Sequence, residues 1–193
     1  MILDLLNKRC SVRSFVDKSI SEEVIDRILE AGRLSPSGGN EQPWKFGVIT
    51  NKELINHISD IAYHQHWMKE APLLIVLCTM IVEDERGGRE IQKRRFPSFA
   101  GEIDHLGKEL YSNLNMEEHQ TKIAGTQMVL AALENDVYST WISYFDVYKL
   151  KELLRLPENC IPSEMIAFGY TNNSIHGRMK KSVEEITFYN YYE

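Results

Sequence analysis

The chain has 193 residues, 43% of them hydrophobic, with 28 acidic residues against 22 basic and a formal net charge of -6. That length and apolar content are enough for one compact domain over residues 1–193. The acidic balance excludes a protein-wide field that would draw nucleic acid or an anionic membrane surface, so any anion site must be local.

Residues 1–8 read as an amphipathic opening helix. Asp4 interrupts their short apolar run and no charged leader precedes it, so no signal peptide is expected. The helical pattern then breaks at residues 9–15, Arg-Cys-Ser-Val-Arg-Ser-Phe. In an extended backbone Arg9, Ser11 and Arg13 share one side, and two guanidinium groups with a hydroxyl suit a phosphate. A solvated basic turn is the alternative on residues alone. Ser21 is expected to cap a helix with Glu22 and Glu23 in its first turn and Val24, Ile25, Ile28 and Leu29 on its buried face, ending near Gly32.

Residues 34–44, Leu-Ser-Pro-Ser-Gly-Gly-Asn-Glu-Gln-Pro-Trp, read as a rigid loop facing a ligand. Pro36 and Pro43 fix two φ angles, Gly38 and Gly39 allow close approach, Ser37, Asn40 and Gln42 offer hydrogen bonds, and Trp44 anchors the end. An ordinary turn between helix and strand is the alternative. A strand is expected over 45–50, then a helix carrying Leu54, Ile55, Ile58 and Ile61, capped by a box of Thr50 and Glu53. The His64 and His66 pair lacks partners at metal-ligand spacing and reads as polar surface or ligand lining.

The apolar run 73–82 behind Pro72 suits a buried strand and is about half what a bilayer-spanning helix needs. Residues 83–115 form a variable excursion with a Gly87-Gly88 turn, a basic cluster Lys93-Arg94-Arg95, and Ile103, Leu106 and Leu110 at helical spacing. Such a segment is a candidate cover for an active site. Its basic cluster suits either a nucleotide phosphate or a solvated helix end. Residues 117–135 are a helix whose second half is apolar all round, as a helix buried centrally or against a partner subunit would be. A strand at 138–144, a short helix capped by Asp146, a buried strand at 165–170 and a polar loop carrying Arg178, Lys180 and Lys181 follow. The tail 185–192 is rich in β-formers and needs a sheet edge to dock on. Cys10, Cys78 and Cys160 are odd in number and widely spaced, as reduced cytoplasmic thiols would be. No Walker loop or Gly-x-Gly-x-x-Gly fingerprint occurs, so a Rossmann-type dinucleotide site is unsupported.

Taken as a pair, segments 9–15 and 35–44 resemble the FMN-dependent nitroreductase family. The resemblance continues through Gln65-His66-Trp67, Ala71-Pro72, residues 126–133, Thr140-Trp141-Ile142, Phe168-Gly169-Tyr170 and residues 178–186. It implies an α+β fold with a central, mainly antiparallel mixed sheet flanked by helices. It also implies a homodimer with a domain-swapped C-terminal strand and FMN at each subunit interface. The cofactor-binding residues it implies are Arg9, Cys10, Ser11 and Arg13 in the first segment and Pro36, Ser37, Gly38 and Asn40 in the loop from the partner subunit. To these it adds His64 and Gln65, Ser143 and Tyr144 beside the flavin, and Arg178 and Lys180 over the phosphate. His64, Trp67 and Tyr144 depart from the family pattern. The implied activity is hydride transfer from NADH or NADPH through FMN to an electron-poor small molecule such as a nitroaromatic or quinone, in a cytoplasmic enzyme. A flavin-binding module for storage or sensing is the alternative. The flavin carries the chemistry, so no catalytic side chain and no metal is implied.

Overall fold

The computed structural model describes residues 2–81, 88–107, 118–175, 177 and 179–191. Its centre is a four-stranded sheet of β1 (Trp44–Ile49), β2 (Leu73–Met80), β3 (Tyr138–Ile142) and β4 (Cys160–Gly169), in the order β1-β2-β4-β3 with every neighbouring pair antiparallel. Among the described residues the mixed character is confined to one parallel bridge, Ser11 to Ser139, on the outer edge of β3. The described helices are α1 (Ile2–Lys8), α2 (Glu22–Arg33), α3 (Lys52–Ile61), α4 (Gly88–Arg95), α5 (Ala100–His105), α6 (Glu118–Leu133), α7 (Val147–Leu153) and α8 (Val183–Ile186), of which α2 and α6 cover one face of the sheet and α3 and α7 the other.

The unbroken apolar run of β2 follows from this layering, because a strand covered on both faces has no solvent side to make polar. Leu73, Ile75 and Leu77 join Ile28 of α2 and Met128 and Val129 of α6 in one cluster. The alternate residues Leu74, Val76 and Cys78 join Ile55 and Ile58 of α3 and Leu150 of α7 in the other. The seat of α6 depends on Gly125. A Cβ there would stand 2.5 Å from Leu77 Cδ1 and 2.6 Å from Trp141 Cη2, so only glycine lets the helix axis lie this close to the sheet.

Ser21 caps α2 and Asp146 caps α7, accepting from the Val24 and Lys149 amides at 3.4 and 3.0 Å. The expected Thr50–Glu53 box does not form. Asn51 is the cap, its Oδ1 accepting from the Leu54 amide at 2.9 Å, and this puts Glu53 one position too early to reciprocate. The last strand starts at Cys160, ahead of the expected 165, and absorbs Pro162 through a register shift opposite Leu77 and Cys78. In the excursion, helix α5 ends at His105, so Leu106 lies beyond it; Gly87 and Leu110 lie outside the described residues. The C-terminal residues 187–191 form no strand within the chain, and Phe188, Tyr189 and Tyr191 are exposed.

Candidate functional site

Segment 9–15 runs along the outer edge of β3. The Val12 amide donates to the Ser139 carbonyl at 3.1 Å, the Thr140 hydroxyl donates to the Val12 carbonyl, and Val12 and Phe15 are buried. Burial of Val12 turns its neighbours outward, so Ser11 and Arg13 are exposed on the alternate side, with Arg9 half-buried. Cys10 packs against the core and points away from that set. The Arg9 guanidinium makes no hydrogen bond or ion pair among the described residues. Arg13 sits 5.8 Å over the Trp67 ring.

The far end of the segment is tied down by Glu70, which accepts the Phe15 amide at 3.0 Å. Gln65 directly precedes the short turn His66–Glu70 that leads into β2. Its Nε2 donates to the Ala62 and Tyr144 carbonyls at 3.2 and 3.0 Å. The Gln65 carbonyl in turn accepts from the Ser59 hydroxyl at 3.1 Å, so the glutamine is held at both ends.

Ser143 and Tyr144, just past β3, are exposed, and the bridge ties the Tyr144 carbonyl to the residue before the turn that carries Trp67, the ring beneath Arg13. The Tyr144 ring stacks on Tyr63, with centroids 4.2 Å apart and planes at 28°. Tyr63 and His64 both have left-handed backbones, at φ 52° and 58°, a costly arrangement for two bulky residues in succession. His64 is exposed and lies 3.4 Å from Asp60. The hydrogen bond from Lys69, assisted by His64, holds the Asp60 carboxyl below its ordinary range. Arg9, Ser11, Arg13, Gln65, Ser143 and Tyr144 thus gather around one edge of the sheet.

Loop 34–44 lies elsewhere. It feeds β1, three strand spacings, or about 14 Å, across the sheet from β3. Its shape is built in: the Gln42 amide donates to Ser37 Oγ at 2.9 Å, Gln42 Nε2 donates to the Asn40 carbonyl at 3.3 Å, and the Gly38 amide donates to Gln120 Oε1 of α6 at 2.6 Å. Gly39, Asn40 and Gln42 are all left-handed. Pro36, Gly38 and Asn40 are exposed and Ser37 half-buried. Lys180 is exposed in the C-terminal extension, and Arg178 lies outside the described residues.

The basic cluster of the excursion forms the last turn of α4. Lys93 is engaged by Asp104 at 2.8 Å and by Glu90, and Arg95 lies over the Phe96 ring at 5.5 Å. Sequence reasoning missed Glu70 and Gln120, whose partners are 55 and 82 residues away and leave no local pattern.

The sheet and its two helical layers define an α+β protein of the nitroreductase type. The nitroreductase family model matches residues 6–77. An oxygen-insensitive NADPH nitroreductase of Helicobacter acinonychis is 34% identical over 166 residues, covering 78% of this chain and 77% of that protein. Among solved structures, a nitroreductase family protein from Streptococcus pneumoniae superposes with a TM-score of 0.80 at 23% identity, over 98% of this chain and 100% of that one. A putative NADH oxidase from Clostridium acetobutylicum gives 0.76 at 26% identity, with 98% and 100% covered. The chain belongs to the nitroreductase family.

Proposed function

We propose that this chain is a homodimeric, FMN-dependent oxidoreductase that passes electrons from NADH or NADPH to an electron-poor small molecule such as a nitroaromatic or quinone. The observation that carries the reading is the split of the site. Arg9, Ser11, Arg13, Gln65, Ser143 and Tyr144 gather at one sheet edge while the rigid loop 36–40 stands at the other, as a pocket completed by a second subunit requires. The names of the relatives support the nicotinamide donor.

The residues present fit FMN. The uncommitted Arg9 guanidinium and the exposed Ser11 hydroxyl would hold the phosphate, with Lys180 and Arg178 as further cations. Arg13 would favour negative charge on the reduced ring, and its place over Trp67 limits its wandering. Gln65 fixes the Ser143–Tyr144 backbone. When bound, FMN supplies the two-electron chemistry, and the chain supplies placement and electrostatics.

Exposed Ile2, Leu3 and Leu6 of α1, Ile123 of α6 and the aromatic tail are apolar surface that a second copy would cover, the tail adding its strand to the partner's sheet. We read residues 1–193 as one domain, the excursion as a cover, and the cytoplasm as its compartment. Among the described residues no helix is long and apolar enough to cross a membrane. An absorbance spectrum before and after anaerobic NADH or NADPH tests the reading. A flavin spectrum that bleaches supports it; one that stays oxidised favours the storage module; a protein that takes up no FMN refutes both.

A further inference from the structure

The first two turns of α6 are fixed from below. The Thr79 hydroxyl of β2 donates to Thr121 Oγ1 at 2.9 Å and lies 2.6 Å from Ser163 Oγ of β4, with Thr79 and Thr121 both buried. Lys122 pairs with Glu118 and with the buried Glu164 of β4 at 3.0 Å. Gln120 stands beside these anchored neighbours. Its Oε1 accepts the Gly38 amide at 2.6 Å, and Thr121 Oγ1 donates to the Pro43 carbonyl at 3.4 Å. One rigid helix end therefore grips loop 34–44 at both of its shoulders. Inside the loop Asn40 and Gln42 follow Gly39 into left-handed backbones, a shape that non-glycine residues keep only where surroundings impose it.

We propose that Gln120 is a positioning residue for the flavin of the other subunit: by holding Gly38 it sets the loop that one chain lends to its partner's pocket. This rests on the shared-site reading above. Because the loop and the Arg9 cluster of one chain serve different pockets, a Gln120 lesion acts in trans.

The test uses dimers of the full chain, with melting curves to confirm that each variant folds. Gln120→Leu, and Gln120→Ala alongside it, should weaken FMN binding by about tenfold, the scale of one net hydrogen bond. Gln120→Glu, which keeps an acceptor, should stay within about threefold of the wild type. Mixed dimers then give the direction. With Arg9→Ala on one chain and Gln120→Leu on the other, both lesions fall on one pocket and one tight FMN per dimer remains. With both substitutions on the same chain each pocket carries one lesion, and no tight FMN remains. The reverse pattern, or Gln120→Leu binding FMN as tightly as a wild type that does bind it, overturns the inference alone. A wild type that takes up no FMN overturns it together with the function proposed above.

Discussion

Gly169→Ala tests whether the core and the candidate site are mechanically joined. Gly169 ends β4, and a Cβ there would stand 2.6 and 2.9 Å from two atoms of the Phe15 ring and 2.9 Å from Pro72 Cδ. Both neighbours are rings, and neither can fold away as a flexible chain end would. Phe15 is also held by its amide on Glu70, and the next amide, of Val16, donates to the Tyr170 carbonyl at 2.9 Å. Relief must therefore come from moving segment 9–15. Overpacking of this kind costs about 1–3 kcal/mol, and alanine in place of a strand glycine returns about 0.5–1 kcal/mol. The balance is about 0–2.5 kcal/mol, and the rigidity of both rings puts it in the upper part of that range, about 1–2 kcal/mol, which lowers the melting temperature by roughly 2–8 °C in a chain of this size. Arg13 is two residues from Phe15, so FMN affinity should fall severalfold in the same variant. Gly101→Ala, with nothing within 4 Å of its Cβ and a place in α5 where alanine is the better helix former, is the control: it should leave FMN affinity unchanged and should not lower the melting temperature. Calorimetry and FMN titration read both effects. A Gly169→Ala protein that melts with the wild type, or one that is destabilised with FMN affinity intact, would refute the coupling.

Arg9→Ala should weaken FMN retention by about 1.5–3 kcal/mol, the value of a charge-assisted contact, while Lys52→Ala leaves it unchanged; equal dissociation constants would count against the phosphate site. Asn51→Ala should cost about 1 kcal/mol in denaturant unfolding and Thr50→Ala much less, because Asn51 is the side chain that caps α3. The neighbouring Cys78 thiol, with Lys151 and Lys45, draws Cys160 down to about 7 from 9.0 against the opposing effect of burial, while Cys78 is pushed up. The two shifts oppose each other in linkage: the depressed Cys160 favours the fold above its unfolded value and loses that as pH falls through about 7, whereas the raised Cys78 disfavours the fold above the ordinary thiol range, so the observable is the titration step and not a stability gain. An ultraviolet thiolate step centred at about 7, absent in Cys160→Ser, is the expected result, and a wild type with no step below the ordinary thiol range would contradict it.

What was legible in the sequence was what local chemistry encodes. Ser21 and Asp146 announce their helices because a cap bonds within three residues of itself, and β2 announces itself because burial on both faces leaves an apolar run from Leu73 to Cys78. The 34–44 loop was legible in part: Pro36, Pro43 and Gly39 mark a bent backbone, while the left-handed Asn40 and Gln42 and the hold of Gln120 on Gly38 leave no local pattern. The first half of β4 was hidden, since Pro162 and the buried Glu164 look wrong for a central strand until the register shift and the Lys122 partner are seen. Gln120 and Glu70 were hidden because each satisfies a backbone amide far away in sequence. Tyr63 and His64 adopt left-handed backbones that nothing in their side-chain types requires.

A pocket divided between two chains ties cofactor binding to assembly. Within one chain β2 and β4 stand between the edge that carries the Arg9 cluster and the strand that loop 36–40 feeds, and on the proposed reading each is joined by its counterpart from the other chain. A monomer would then hold FMN by the phosphate contacts alone. By linkage, FMN that binds only the completed pocket must favour the dimer by the same free energy by which dimerisation favours FMN. Apparent FMN affinity should therefore fall on dilution through the dimer dissociation range, and added FMN should shift sedimentation toward the dimer. A site carried by one chain would show neither effect, so concentration-independent FMN binding with a monomer in the ultracentrifuge would refute the shared pocket whatever the activity of the protein.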